Sequence, residues 1–114
     1  MIMMKDKKVL IIDDQMDFGF LMETFFLKKG SKVFLANSIS EGLRVLQDEA
    51  PDYTFMDNNL PDGFGWSKKE FILANYPQTQ LFLITAMEVP IASSSSFSIL
   101  YKPLLKDELR RMFP

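Results

Sequence analysis

The sequence predicts a single α/β domain built on a doubly wound, five-stranded parallel sheet with flanking helices. Three observations predict it. Apolar runs of strand length alternate with helical patterns along the chain, as in successive βαβ units. The 114 residues suit one domain with an ordinary core. Four of the apolar runs also stop on a polar residue. Val9-Leu10-Ile11-Ile12 ends at Asp13-Asp14, Tyr53-Thr54-Phe55-Met56 at Asp57, Leu81-Phe82-Leu83-Ile84 at Thr85, and Phe97-Ser98-Ile99-Leu100-Tyr101 at Lys102-Pro103. Ligands of an open parallel sheet bind beyond the carboxyl ends of its strands. Three carboxylates, a hydroxyl and an ammonium are therefore expected to converge at one edge.

After the first strand, Phe18, Leu21, Met22, Phe25 and Phe26 recur at helical spacing, and Lys28-Lys29-Gly30 supplies C-terminal charge and a glycine stop. Val33-Phe34-Leu35-Ala36 reads as the second strand. Ser38 with Glu41 has the spacing of a capping box, opening a helix whose Ile39, Leu43 and Leu46 face inward and which closes before Pro51. The Tyr53 strand follows, then a turn-rich stretch from Asn58 to Gly63. Ser67 with Glu70 predicts a second capping box, and Trp66 with Phe71 a hydrophobic staple, for a helix running to about Asn75 before Pro77. Trp66 is thus read as structural.

The segment Met87 to Ser96 breaks the pattern. It holds Pro90 and the run Ser93 to Ser96 without an amphipathic stripe, although two parallel strands need a crossover there. A shortened or irregular fourth connection with at most one helical turn is expected. A last helix at about Lys106 to Phe113 carries Leu105, Leu109, Met112 and Phe113.

Composition excludes several chemistries. The chain has no Cys and no His, which removes thiol catalysis, disulfides, Cys/His zinc sites and histidine acid–base chemistry. A net charge of −2 leaves no basic footprint for nucleic acid, and Lys5, Lys7 and Lys8 read as a solvated approach to the first strand. No apolar run nears the ~20 residues that span a bilayer, so a cytoplasmic protein with no membrane insertion is expected.

Oxygen-only ligands at Asp13, Asp14 and Asp57 favour Mg²⁺ or Mn²⁺, and a cation would offset their mutual repulsion. An aspartate at a strand end can attack a phosphoryl group. Lys102 offers a compact cation and Thr85 a hydroxyl to the phosphoryl oxygens. Either Asp13 or Asp14 could instead simply cap the following helix.

With Val9-Leu10-Ile11-Ile12-Asp13-Asp14, Met56-Asp57-Asn58-Asn59-Leu60-Pro61-Asp62-Gly63, Ile84-Thr85-Ala86 and Tyr101-Lys102-Pro103-Leu104 in this order, the chain resembles the receiver domain of two-component response regulators along its whole length. The resemblance implies the strand order 2-1-3-4-5 and a receiver domain over residues 1–114 with no output domain. It implies Asp57 as phosphoacceptor from a histidine kinase or phosphotransfer protein. Asp14, Asp57 and the Asn59 carbonyl would bind Mg²⁺ directly and Asp13 through water, while Thr85 and Lys102 would read the phosphoryl group. No turnover beyond self-phosphorylation and autodephosphorylation is implied, and the output is a downstream protein target, with a homodimer open.

Two features depart from that family. The fourth helix is several residues short, and Ile99 stands where the family tends to place an aromatic, three residues before the lysine; Tyr101 is expected to point to the other face of the strand. A degenerate receiver acting as a phosphorylation-independent binding module is therefore the alternative. An aspartate-nucleophile phosphatase fits less well, because Asn59 stands where such enzymes usually place a second Asp.

Overall fold

The strands are apolar at nearly every position because both faces of the sheet are covered, as parallel sheets require. The computed structural model describes residues 4–87 and 93–114. Its elements run β1 (Lys8–Ile12), α1 (Met16–Lys28), β2 (Lys32–Ala36), α2 (Ile39–Glu49), β3 (Tyr53–Asp57), β4 (Asn59–Leu60), β5 (Gly63–Phe64), a 3₁₀ turn (Gly65–Lys68), α3 (Lys69–Asn75), β6 (Gln80–Thr85), β7 (Phe97–Tyr101) and α4 (Lys106–Met112). The five long strands pair in parallel in the order β2-β1-β3-β6-β7. With the hairpin β4–β5 set aside, this is the expected 2-1-3-4-5.

Side chains alternate between the faces with the strand period of two. Val9, Ile11, Phe55, Phe82 and Ile84 join Met22, Phe26, Leu109 and Phe113 in one core layer, on the side of α1 and α4. Leu10, Ile12, Met56, Leu81 and Leu83 join Leu46 and Ile72 in the other, on the side of α2 and α3. The first layer is rich in rings. Phe55 stacks on Phe82 at 4.6 Å between centroids, and Phe26 meets Phe113 edge-on at 5.1 Å. Gly42 lets α2 sit close on β1, since a Cβ there would lie 2.5 Å from the Ile12 side chain.

Helix α1 stops as expected, with Gly30 at φ +85°. Helix α2 is capped by Ser38, whose Oγ accepts the Glu41 N–H at 3.2 Å. The structure corrects four expectations. Ser67 and Glu70 form no capping box: a 3₁₀ turn precedes α3, and the Ser67 hydroxyl donates back to the Phe64 carbonyl at 2.6 Å. The Trp66–Phe71 staple fails with it, because Phe71 is exposed and lies edge-on to Tyr76. Leu105 is not carried by α4 but precedes it as the N-cap, and it is exposed. Tyr101 does not turn to the face opposite Ile99. Residues two apart on a strand share a face; Phe97 and Ile99 pack on the α2/α3 layer and Leu100 on the other, so Tyr101 keeps the phase of Ile99 at the strand's exposed end.

Residues 88–92 lie outside the described residues, so the expectation for the fourth connection falls partly there; among the described residues no helix stands between β6 and β7. Nor is any helix of the described residues long and apolar enough to cross a membrane.

Candidate functional site

The parallel register brings four strand ends to one edge. Asp57 pairs with Ile84 and Thr85 with Tyr101. Asp13 continues β1 by donating its N–H to the Ala36 carbonyl at 2.9 Å, and the Lys102 N–H reaches the Thr85 carbonyl at 2.8 Å. Carboxylate oxygens of Asp13, Asp14 and Asp57 all lie within 4.8 Å of one another. Asp13 and Asp57 are buried and Asp14 is exposed. At an effective dielectric of 20, two unit charges 4.8 Å apart repel by about 3.5 kcal/mol.

Lys102 offsets part of that repulsion. Its Nζ is 2.8 Å from Asp13 Oδ2, 3.4 Å from Asp57 Oδ1 and 2.6 Å from Gln15 Oε1. It also stands 4.6 Å above the Phe18 ring. The other Asp57 oxygen, Oδ2, accepts the Asn59 N–H at 3.1 Å. Burial, followed by the charge of Asp13, raises the Asp57 carboxyl above its ordinary value of 3.8, while Lys102 and the Asn59 N–H pull the other way.

Neither acidic residue caps α1. Gln15 is its N-cap and makes no capping bond with its side chain. Asp13 Oδ1 accepts the Gln15 N–H at 2.8 Å, which leaves Asp13 Oδ2 buried with no aligned hydrogen-bond donor. The Lys102 ammonium faces that atom as an ion-pair partner, off the hydrogen-bond axis. Three carboxylates converging on one point are a donor set suited to a hard divalent cation.

Asp14, Asp57, Asn59, Thr85 and Lys102 line a cavity of about 290 Å³. The Thr85 hydroxyl is buried there and accepts the Met87 N–H at 3.1 Å. A wider groove of about 790 Å³ lies past Lys102, between α1 and Pro103–Leu105. Its walls are mainly apolar, so the smaller cavity holds the chemistry.

The loop after Asp57 is tied down by contacts that the spacing of the sequence did not reveal. Asn58 accepts the Gly65 N–H on its carbonyl at 2.8 Å and the Trp66 N–H on Oδ1 at 3.2 Å. The Trp66 indole donates to the Met56 carbonyl at 3.3 Å, which bears out its structural reading by a different contact. A Cβ on Gly65 would collide with the Asp57 carbonyl oxygen. Asp62 accepts the Ile39 and Ser40 N–H groups at 2.8 and 3.0 Å, so the β4–β5 hairpin caps α2 from outside. Those bonds hold the Asp62 carboxyl below 3.8. The Pro61-Asp62-Gly63 turn was the available signal for this hairpin, and Gly63 takes φ +137° within it.

Comparison with known proteins agrees with this arrangement. The response regulator protein PilR of Pseudomonas aeruginosa is 29% identical over 114 residues, covering 96% of this chain and 26% of PilR. Sporulation initiation phosphotransferase F of Bacillus subtilis is 33% identical over 58 residues, covering 51% of this chain and 47% of that protein. The chain thus spans only about a quarter to a half of such relatives. Among solved structures, a two-component response regulator from Clostridium difficile superposes with a TM-score of 0.78 at 27% identity, over 94% of this chain and 98% of that one. The chemotaxis response regulator CheY4 of Vibrio cholerae gives 0.82 at 21% identity, over 95% and 96%, and speaks to the fold alone. The model of the response regulator receiver domain matches residues 9–113, and the chain belongs to that family.

Proposed function

We propose that this domain accepts a phosphoryl group on Asp57 from a histidine kinase or a phosphotransfer protein and signals through protein contacts. The observation that carries the reading is the meeting of three carboxylates within 4.8 Å with the Lys102 ammonium 3.4 Å from Asp57. A carboxylate oxygen of Asp57 forms the new O–P bond as the donor's bond to phosphorus breaks, and the leaving group departs with that electron pair. The nucleophile is the carboxylate form of Asp57, which gives up no proton in the step.

Asp14, Asp57 and the Asn59 carbonyl would hold Mg²⁺ directly and Asp13 through water; Mn²⁺ suits the same donors. A bound cation supplies charge neutralisation between the carboxylates and the incoming phosphoryl oxygens. Lys102 meets one phosphoryl oxygen as a point charge, and Thr85, whose oxygen accepts the Met87 N–H, donates its O–H to another. Water then hydrolyses the acyl phosphate and regenerates Asp57, so the domain turns over no substrate but its own adduct. The pathway and output lie in partners, and a cytoplasmic setting suits a kinase-fed acceptor. The complete acidic cluster favours this reading over a phosphorylation-independent binding module.

Incubation with a small-molecule phosphodonor and Mg²⁺, followed by intact mass measurement, tests it. One phosphoryl adduct is expected on the wild type, and none on Asp57→Asn or with the cation chelated. An adduct that survives Asp57→Asn would overturn the assignment.

A further inference from the structure

Lys102 faces three oxygens, and the shortest of the three contacts is to Gln15. Asp13 Oδ2 and Asp57 Oδ1 lie at ion-pair distances, and Asp13 Oδ2 receives no hydrogen bond. The 2.6 Å bond from Nζ goes to Gln15 Oε1. A lysine ammonium has three donors on a flexible stem and no preferred direction of its own. Whatever fixes one of its N–H groups aims the other two.

Gln15 has little else to do. It is the N-cap of α1, yet its side chain makes no capping bond there. Glutamine is not among the residues that favour an N-cap, so the helix gains nothing from this side chain. Its backbone N–H is bound to Asp13 Oδ1 at 2.8 Å, which fixes the residue's own main chain to the acidic cluster. The side chain then extends along the cavity wall to the lysine, whose ammonium stands over the Phe18 ring on the same helix.

We propose that Gln15 is a positioning residue for phosphoryl capture: its amide oxygen anchors the Lys102 ammonium so that a free N–H is aimed at the phosphoryl oxygens on Asp57. The inference rests on the phosphoacceptor reading. Gln15 touches neither phosphoryl group nor cation and acts only through Lys102, which makes a sharp demand. Removing the Gln15 acceptor must slow the reaction when Lys102 is present and must change nothing when Lys102 is absent.

The test is a double-mutant cycle of wild type, Gln15→Met, Lys102→Met and the double variant, all with Mg²⁺ and one small-molecule phosphodonor. The rate of Asp57 adduct formation is read by intact mass. The affinity for beryllofluoride with Mg²⁺ is read in parallel and stands in wherever a rate falls below detection. Gln15→Met should slow adduct formation about tenfold, the lower end for losing a hydrogen bond to a charged group at a solvent-facing position. The same change in the Lys102→Met background should leave rate and affinity unchanged. The melting temperature of Gln15→Met should match the wild type, since the side chain is exposed and caps nothing.

Equal rates for wild type and Gln15→Met overturn the inference and leave the phosphoacceptor reading standing. A loss of the same size in both backgrounds also overturns it, because Gln15 would then act without the lysine. No adduct on the wild type, with beryllofluoride binding also absent, overturns the phosphoacceptor reading and this inference together.

Discussion

Replacing Lys102 with methionine isolates the charge that holds the acidic cluster together, because methionine keeps most of the apolar stem and removes the ammonium that stands over Phe18. The ammonium is 2.8 Å from Asp13 Oδ2 and 3.4 Å from Asp57 Oδ1. At an effective dielectric of 20, these contacts are worth about 6 and 5 kcal/mol before desolvation is counted. The net value is smaller, since the lysine side chain is itself only 12% exposed and must shed water to be there. Removing one partner of a buried pair typically costs about 3–5 kcal/mol, and the lower end applies where a carboxylate can take up a proton. A loss of about 3 kcal/mol should lower the melting temperature at pH 7.5 by roughly 12–20 °C for a domain of this size. The sign with pH is fixed by Asp57. Its folded-state carboxyl is already raised above 3.8, so protonation stabilises the fold below that value and the gain fades as pH rises through the raised one. Loss of the lysine widens this window, so the deficit should be largest at pH 7.5 and shrink near pH 4.5. Saturating Mg²⁺ stabilises both proteins and should reduce the deficit by the difference in their affinities, about 1.4 kcal/mol for each tenfold tighter binding to the variant, whose acidic cluster has lost its own cation. Thermal melts of both proteins at the two pH values, with and without Mg²⁺, read all of this. A deficit that is the same under all four conditions would refute the electrostatic account and leave only lost packing of the side chain.

Three further perturbations have defined outcomes. Asp57→Asn should raise stability at neutral pH by removing a charge that burial and Asp13 disfavour, with the gain vanishing near pH 4; a urea titration that finds the variant less stable at pH 7.5 would contradict the raised carboxyl. Gly65→Ala should destabilise by about 1–3 kcal/mol, as overpacking does, and should slow adduct formation as well, because the new Cβ collides with the Asp57 carbonyl; a variant with wild-type melting and wild-type rate would show that the loop yields freely. Asp62→Asn should lower the melting temperature at pH 7. The Asp62 carboxyl is held below 3.8, so its stabilisation is present above that value and lost as pH falls through the depressed one. The two proteins should therefore converge in melts as pH falls through that depressed value.

The sheet was legible because its strands carry unbroken apolar runs, and their lengths, the turn residues between them and the helical stripes of α1 and α2 all favour the same topology. The acidic cluster was legible for a related reason. In a parallel sheet every strand delivers its last residue to the same edge, so a polar residue that ends an apolar run has its position set by the fold. Asp13, Asp57 and Thr85 owe their placement to this rule, and Lys102 follows the last strand of the sheet.

What failed to show in the sequence is set by local competition or by contacts distant along the chain. Ser67 and Glu70 have the spacing of a capping box, but a serine hydroxyl can also bond backward, and the Phe64 carbonyl captured it. The cap that does form on α2 comes partly from Asp62, 23 residues from Ile39, and no spacing rule reaches that far. Gln15 illustrates the same limit at the site itself. It follows Asp14 directly as the N-cap of α1, while its partner Lys102 lies 87 residues away. A strand end places a backbone, and the sequence pattern reports it. The direction of a long, freely rotating ammonium is settled only after folding, by whichever acceptor the neighbouring helix presents. The residues that tune this site are therefore harder to read than the residues that form it.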